Sequence, residues 1–255
     1  MKCYIDAGNT RIKWQIGPKG KPKALPWAEK SQWLEQLTVP VGKCPAISKF
    51  VIASVASESL RQWLAETLVA NYADVPAQWL KSRARCCGVK LAYPEVAQFG
   101  VDRFCALVAA RHRCPDQAVV VINAGTAITI DYMAPTGQHE GGLIMPSLAA
   151  MKAGLNALAP NLSDRWESNE SHVGAQTAWL ANNTADALQL GRQWMLVSAL
   201  SQTINAMRAH AAPCSLAVVV GGGDAMAVQA MIDPAAHVTE NLVLEGVKIL
   251  ARQRG

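Results

Sequence analysis

Hydrophobic and polar positions along this chain change period several times, and each change predicts an element. A short apolar run at Cys3, Tyr4 and Ile5 stops at Asp6-Ala7-Gly8-Asn9-Thr10 and resumes with Ile12 and Trp14. That pattern predicts a strand, a tight glycine turn and a second strand. Residues 119–122 form a second apolar run, which breaks at Asn123-Ala124-Gly125-Thr126 and continues toward Tyr132. It predicts another hairpin of the same local design. Residues 47–55, centred on Phe50, Val51 and Ile52, predict a strand. Ser57 then caps a helix that carries Leu60, Trp63, Leu64 and Leu68 at helical spacing. Residues 102–113 predict a further helix with Phe104, Leu107 and Val108 on one face, closed near Pro115. Residues 143–158 read as an apolar helical segment, suited to a core or to a subunit interface. Residues 216–220 predict a strand that runs through Gly221-Gly222-Gly223-Asp224 into a helix over residues 225–232.

Strands mixed with amphipathic helices indicate an α/β protein. The plan of hairpin, helical middle, strand and helix occurs twice. We expect a duplicated architecture of two domains, residues 1–115 and 116–255, facing one cleft.

Bulk properties narrow the class. With 255 residues, 51% of them hydrophobic, the chain can bury one large core or two modest ones. Mean hydropathy is +0.10, yet no uninterrupted apolar stretch is long enough to span a bilayer. An acid stands at position 6 and no apolar leader precedes it, so the expectation is a cytoplasmic protein with no membrane partner. Seven cysteines without a CxxC pair, and five histidines without metal-ligand spacing, disfavour a disulfide scaffold and a zinc site. The net charge of +5 is dispersed, which argues against a nucleic-acid partner and suits small anionic metabolites.

Candidate chemistry sits at the turns. A glycine turn exposes backbone N–H groups beside a small hydroxyl residue, a combination suited to phosphate oxygens. Asp6, at a strand end, has the ligand chemistry for a divalent metal bridging those oxygens. A plain hairpin is the ordinary alternative for either turn taken alone. Asp102 follows a glycine at a helix start, where it can reach into a cleft or simply cap the helix. Arg103 offers a planar fork for a carboxylate or a phosphate, or a solvated first-turn position. Tyr93 packs or contacts a ligand, and Thr184 after two asparagines reads equally as a helix cap.

The ordered set Asp6-x-Gly8-Asn9-Thr10 with Lys13, Gly100-Val101-Asp102-Arg103, Gly125-Thr126-Ala127-x-Thr129-x-Asp131, Gly141-Gly142-x-x-x-Pro146, Asn183-Thr184 and Gly221-Gly222-Gly223 spans nearly the whole chain. In that order the set resembles the type III pantothenate kinases of the acetate and sugar kinase/Hsp70/actin superfamily. The resemblance implies a duplicated actin-like (ribonuclease H-like) fold. It also implies ATP-dependent phosphorylation of pantothenate to 4'-phosphopantothenate, the first step toward coenzyme A, by a homodimer. By position it places ATP at Asp6, Ala7, Gly8, Asn9, Thr10, Arg11, Ile12, Lys13 and Thr126, with Mg²⁺ at Asp6. Pantothenate falls to Tyr93, Gly100, Val101, Asp102, Arg103 and Thr184, and Asp102 matches the family's catalytic base. The family's monovalent-cation position, commonly Asp and serving K⁺ or NH₄⁺, is Asn123 here, which predicts a weakened or absent cation requirement. Ser147 stands where a glycine usually follows the proline, a change expected to affect only a helix entry. Other functions compatible with these residues are a kinase for another small acceptor, such as a sugar or acetate, and a non-catalytic ATP-binding regulatory accessory factor of the same fold.

Overall fold

The computed structural model describes residues 1–37, 46–163, 179–232 and 235–253. The first half opens with β1 (Lys2–Ala7), β2 (Arg11–Ile16) and β3 (Lys23–Pro26), followed by a 3₁₀ turn (Trp27–Gln32) and α1 (Trp33–Leu37). Then come β4 (Lys49–Ser54), α2 (Glu58–Asn71), β5 (Ala77–Trp79), a small hairpin of β6 (Arg85–Cys86) and β7 (Val89–Lys90), and α3 (Val101–Arg113). The second half has β8 (Ala118–Ala124), β9 (Ala127–Met133), β10 (His139–Pro146), α4 (Leu148–Leu158), α5 (Pro160–Ser163) and the long α6 (Thr184–Ala211). It closes with β11 (Leu216–Gly221), α7 (Ala225–Ile232), β12 (His237–Thr239) and α8 (Leu242–Leu250).

The strand order is β3-β2-β1-β4-β5 in one sheet and β10-β9-β8-β11-β12 in the other. In both, the first three strands form an antiparallel meander and the last two join in parallel. The duplication expected from the sequence is therefore a repeat of topology and strand direction, and it is the duplicated actin-like architecture.

Alternation along the strands sorts side chains into layers. On β1, Cys3, Ile5 and Ala7 enter an outer core with Phe50, Ile52 and the α2 residues Leu64 and Leu68. Tyr4 points the other way, into an inner core shared by both halves. On β8, Val120 and Ile122 face a second outer core against α6 and α7, and Val119 and Val121 face the inner one. Between the two sheets lie α3 and α8, packed on each other. Their approach is close: a Cβ on Gly246 of α8 would stand 1.9 Å from the Cys105 carbonyl oxygen of α3. The helix α8 thus lies on β1, β2 and β4 of the first sheet, and α3 bridges the two, contacting β4 of the first and β8 and β9 of the second.

One expectation is corrected. Residues 143–158 are not one helix: Leu143 to Pro146 complete β10, and α4 begins only after Ser147. Pairing with β9, Leu143↔Ile130 through Pro146↔Ala127, holds this apolar stretch extended. A third antiparallel strand outweighs the helical spacing of its apolar residues.

Candidate active site

The two hairpins deliver equivalent positions to one cleft. Asp6 is the next inward-facing position after Tyr4 on β1, and the register sets Lys13 opposite it. Asn123 is the next inward-facing position after Val121 on β8, with Thr129 opposite. Asp6 and Asn123 are therefore counterparts, one acidic and one neutral. Each turn is closed through its glycine: Gly8 N–H donates to Arg11 O and Gly125 N–H to Ala127 O, both at 3.1 Å. The hydroxyls of Thr10 and Thr126 hydrogen-bond to each other, so the two tips meet.

Supports behind these turns escaped the sequence reading. The Trp27 indole Nε1–H donates to Gly8 O at 2.8 Å, and its backbone N–H donates to Thr10 O at 3.1 Å. Two carbonyls of the first turn are engaged this way. The indole packs edge-on against Trp63, whose ring tilts against Trp33. Behind the second turn, Ser147 Oγ donates to Thr126 O at 2.9 Å and accepts from Ala150 N at 3.2 Å. It caps α4 and ties that helix to the turn at once.

Asp102 enters from α3. Gly100 is the N-cap and contributes no side-chain cap bond, so Asp102 is not the helix cap. Its Oδ1 accepts from Arg103 N–H at 2.8 Å, and a Cβ on Gly100 would stand only 2.6 Å from that oxygen. The glycine lets the carboxylate fold over the helix start.

The cleft between the halves has a volume of about 850 Å³. Asp6, Gly8, Asn9, Thr10, Arg11 and Lys13 line one wall, with Asn123 and Thr126 opposite and Gly100, Asp102 and Arg103 at the base. Gln98, Val55 and Ser147 also line it, and sequence reasoning assigned none of them to a ligand. Ala7, Ile12 and Val101 turn their side chains into the cores, so only their backbones can meet a ligand. Tyr93 stands beside Arg103, its hydroxyl 3.4 Å from Nη1. Thr184 opens α6 after the Asn183 cap and is not among the cleft-lining residues of its own chain.

Electrostatics single out the two acids. Burial, reinforced by the negative charge of Asp102 and opposed by Lys13, raises the Asp6 carboxyl to about 7. Burial also raises Asp102, against the lowering effect of the Arg103 N–H and charge. Neither carboxylate is in an ion pair among the described residues. Two desolvated oxygen-donor groups facing one cavity are short of positive charge. An oxygen-seeking divalent cation is the ligand type that relieves this. The site therefore fits Mg²⁺ beside Asp6.

A third glycine turn lies next to the second. Gly222 has φ +101°, and a Cβ there would stand 2.0 Å from Ala124 O. Gly222 and Gly223 line the cleft, where bare backbone lets a nucleotide approach closely.

Two five-stranded sheets of one topology, with glycine turns and a pair of acids meeting between them, define an actin-like fold with one cleft between its halves. Among solved structures, a conserved putative Baf family transcriptional activator from Campylobacter jejuni is similar over 98% of this chain and 97% of that one, with a TM-score of 0.58 at 22% identity. An activator of 2-hydroxyisocaproyl-CoA dehydratase from Clostridium difficile, with bound ADPNP, gives a TM-score of 0.51 at 12% identity, over 98% of this chain and 93% of that one. Both share the fold. The model of the type III pantothenate kinase family matches residues 3–206, and the chain belongs to that family. The type III pantothenate kinase of Marinobacter nauticus is 34% identical over 252 residues, covering 98% of each chain. That of Stenotrophomonas maltophilia is 33% identical over 250 residues, covering 95% of this chain and 94% of the relative.

Proposed function

We propose that this protein transfers the γ-phosphoryl group of ATP to the primary hydroxyl of pantothenate, giving 4'-phosphopantothenate and ADP at the start of coenzyme A synthesis. The observation that carries the reading is the convergence of Asp6 and Asp102 on one cleft, in a chain of this family. The glycine turns, Thr10, Thr126 and Lys13 receive the phosphates. Asp6 would hold Mg²⁺, which would supply positive charge against the phosphates. Asp102 orients the acceptor hydroxyl and takes its proton as the oxygen–phosphorus bond forms and the bond to the ADP oxygen breaks. A raised proton affinity suits a group that must accept a proton and later release it. Arg103 and Tyr93 flank the acceptor.

Several finer points belong to the same reading. Residues 1–115 and 116–255 act as the two halves, with α8 returning to cover the first. Asn123 presents a neutral amide where a carboxylate would attract K⁺ or NH₄⁺, so stimulation by these ions is weak or absent. The protein works in the cytoplasm as a homodimer, without nucleic-acid or membrane partners. Thr184 then reaches the acceptor across or beside the subunit contact, since it does not line the cleft of its own chain.

The direct test is ATP consumption by the purified protein with Mg²⁺ and pantothenate, alongside a panel of sugars and acetate. Asp102→Asn is expected to lower kcat by roughly 10²–10⁴-fold, the range for loss of a positioned base. Turnover with a sugar or acetate but not pantothenate would redirect the reading to another acceptor. ATP binding without any turnover would favour a regulatory accessory factor.

A further inference from the structure

Asp131 belongs to the second-hairpin motif but has no part in the reaction as derived above. It is 2% exposed and accepts two hydrogen bonds from Arg103, Nε to Oδ2 at 2.9 Å and Nη2 to Oδ1 at 2.6 Å. On its other side His139 Nε2 lies 2.9 Å from Oδ1, and His139 is wholly buried. His139 Nδ1 has no partner among the described residues. The Asp131 carboxylate offers acceptors, so His139 meets it as the donor, through Nε2–H. The guanidinium lies over the Phe99 ring, 4.5 Å from its centroid, and the His139 ring packs against Phe99 and Tyr93.

The strand register builds this bracket. Asp131 on β9 is flanked by Val121 on β8 and Gly142 on β10, all on the inner face. A Cβ on Gly142 would stand 2.4 Å from Asp131 Oδ1 and 2.7 Å from Arg103 Nη2. Glycine at 142 is thus the opening through which the guanidinium meets the carboxylate. Stability alone is a poor reason for such a cluster, because burying a charge pair costs about as much as its attraction returns. Its placement supplies another reason: Arg103 follows Asp102 directly and lines the floor of the cleft.

We propose that Asp131 and His139 are positioning residues that fix the Arg103 guanidinium, with Gly142 as the space they require, so that its Nη1 edge is presented to the acceptor beside Asp102. His139 saturates Oδ1 from behind and stops the carboxylate from turning away from Arg103. The acceptor part rests on the pantothenate kinase reading; the geometric part does not.

The test has two arms. In the kinetic arm, His139→Phe keeps a ring in the stack but removes the Nε2–H donor. It is expected to raise the KM for the acceptor by roughly 10–100-fold, the size of one lost hydrogen bond to a charged group, with the KM for ATP within twofold. His139→Gln, which retains an N–H donor, is expected to recover part of the loss. Asp131→Asn is the more severe variant, to be used if it folds. Equal rises in both KM values, or an unchanged acceptor KM in a folded His139→Phe, would overturn the proposal. The second arm follows the Arg103 Nε–H signal by ¹H–¹⁵N NMR, assigned with Arg103→Lys, and needs no turnover. Slow solvent exchange in the parent and fast exchange in His139→Phe are expected. An unchanged signal would overturn the positioning role. A parent inactive on pantothenate that still shows the expected NMR change would sink the kinase reading and leave the geometric part standing.

Discussion

Asp6 holds its proton to about pH 7 because it is desolvated and faces Asp102. In the unfolded chain an aspartate titrates near 3.9. Between these two values the folded state binds more protons than the unfolded one, so the Asp6 contribution is fully present in acid and is lost as pH rises toward 7. Asp6→Asn removes that loss. The ligand-free variant is expected to melt about 3–8 °C above the parent at pH 8, allowing for partial solvent access, with the gain fading toward pH 5. Thermal melts without and with Mg·ATP check this, and the nucleotide should stabilise the parent far more than the variant. A variant that melts no higher than the parent at pH 8 would count against the strained carboxylate. Sequence made this residue legible, since alternation along β1 places Asp6 on the face opposite Ile5. Asp131 and His139 were not legible in the same way. Their partnership with Arg103 depends on a three-strand register and on space left by a glycine, neither of which a single segment encodes.

At the scale of elements, Ser147 does two jobs with one hydroxyl. Its side chain caps α4 and donates to Thr126 O in the second turn. Ser147→Ala is expected to cost about 1 kcal/mol for the lost cap, seen as a fall in Tm of about 2–4 °C. It should also raise the KM for ATP several-fold while sparing the acceptor, because the turn loses its tether. A change in stability alone would separate the cap from the turn. The sequence reading expected this serine to affect only a helix entry, and the structure adds the hydrogen bond across to residue 126. Periodicity found β1, β2, β4, α2, α3, β8, β9, β11 and α7. It failed at residues 143–146, where the pairing partners that keep the chain extended lie 13 to 19 positions earlier.

For the whole molecule, the apolar residues left on the surface are informative. Leu143, Trp194, Met195 and Leu158 are 47%, 51%, 64% and 88% exposed, on β10, α6 and α4. Exposed apolar side chains grouped on neighbouring elements mark contact surfaces. The active species is accordingly expected to be a dimer or larger, with Leu158→Asp or Trp194→Glu shifting it toward monomer and lowering turnover. Multi-angle light scattering alongside activity is the check, and a fully active monomer would remove the interface from the account. The duplication itself was legible as two similar turns, because each half writes its own hairpin locally. The return of α8 to the first sheet and the bridging by α3 were not, as nothing in either helix names the sheet it will cover.

That pairing of α3 with α8 bears on how the cleft folds. The helix carrying Asp102 is covered on one side by residues 242–250, more than 130 positions later, through a contact so close that Gly246 admits no side chain. The hairpins and β4 can form from neighbouring sequence, yet α3 keeps part of its apolar surface uncovered until α8 arrives from the far side of the second half. The base of the cleft is therefore closed by a long-range contact rather than by local sequence.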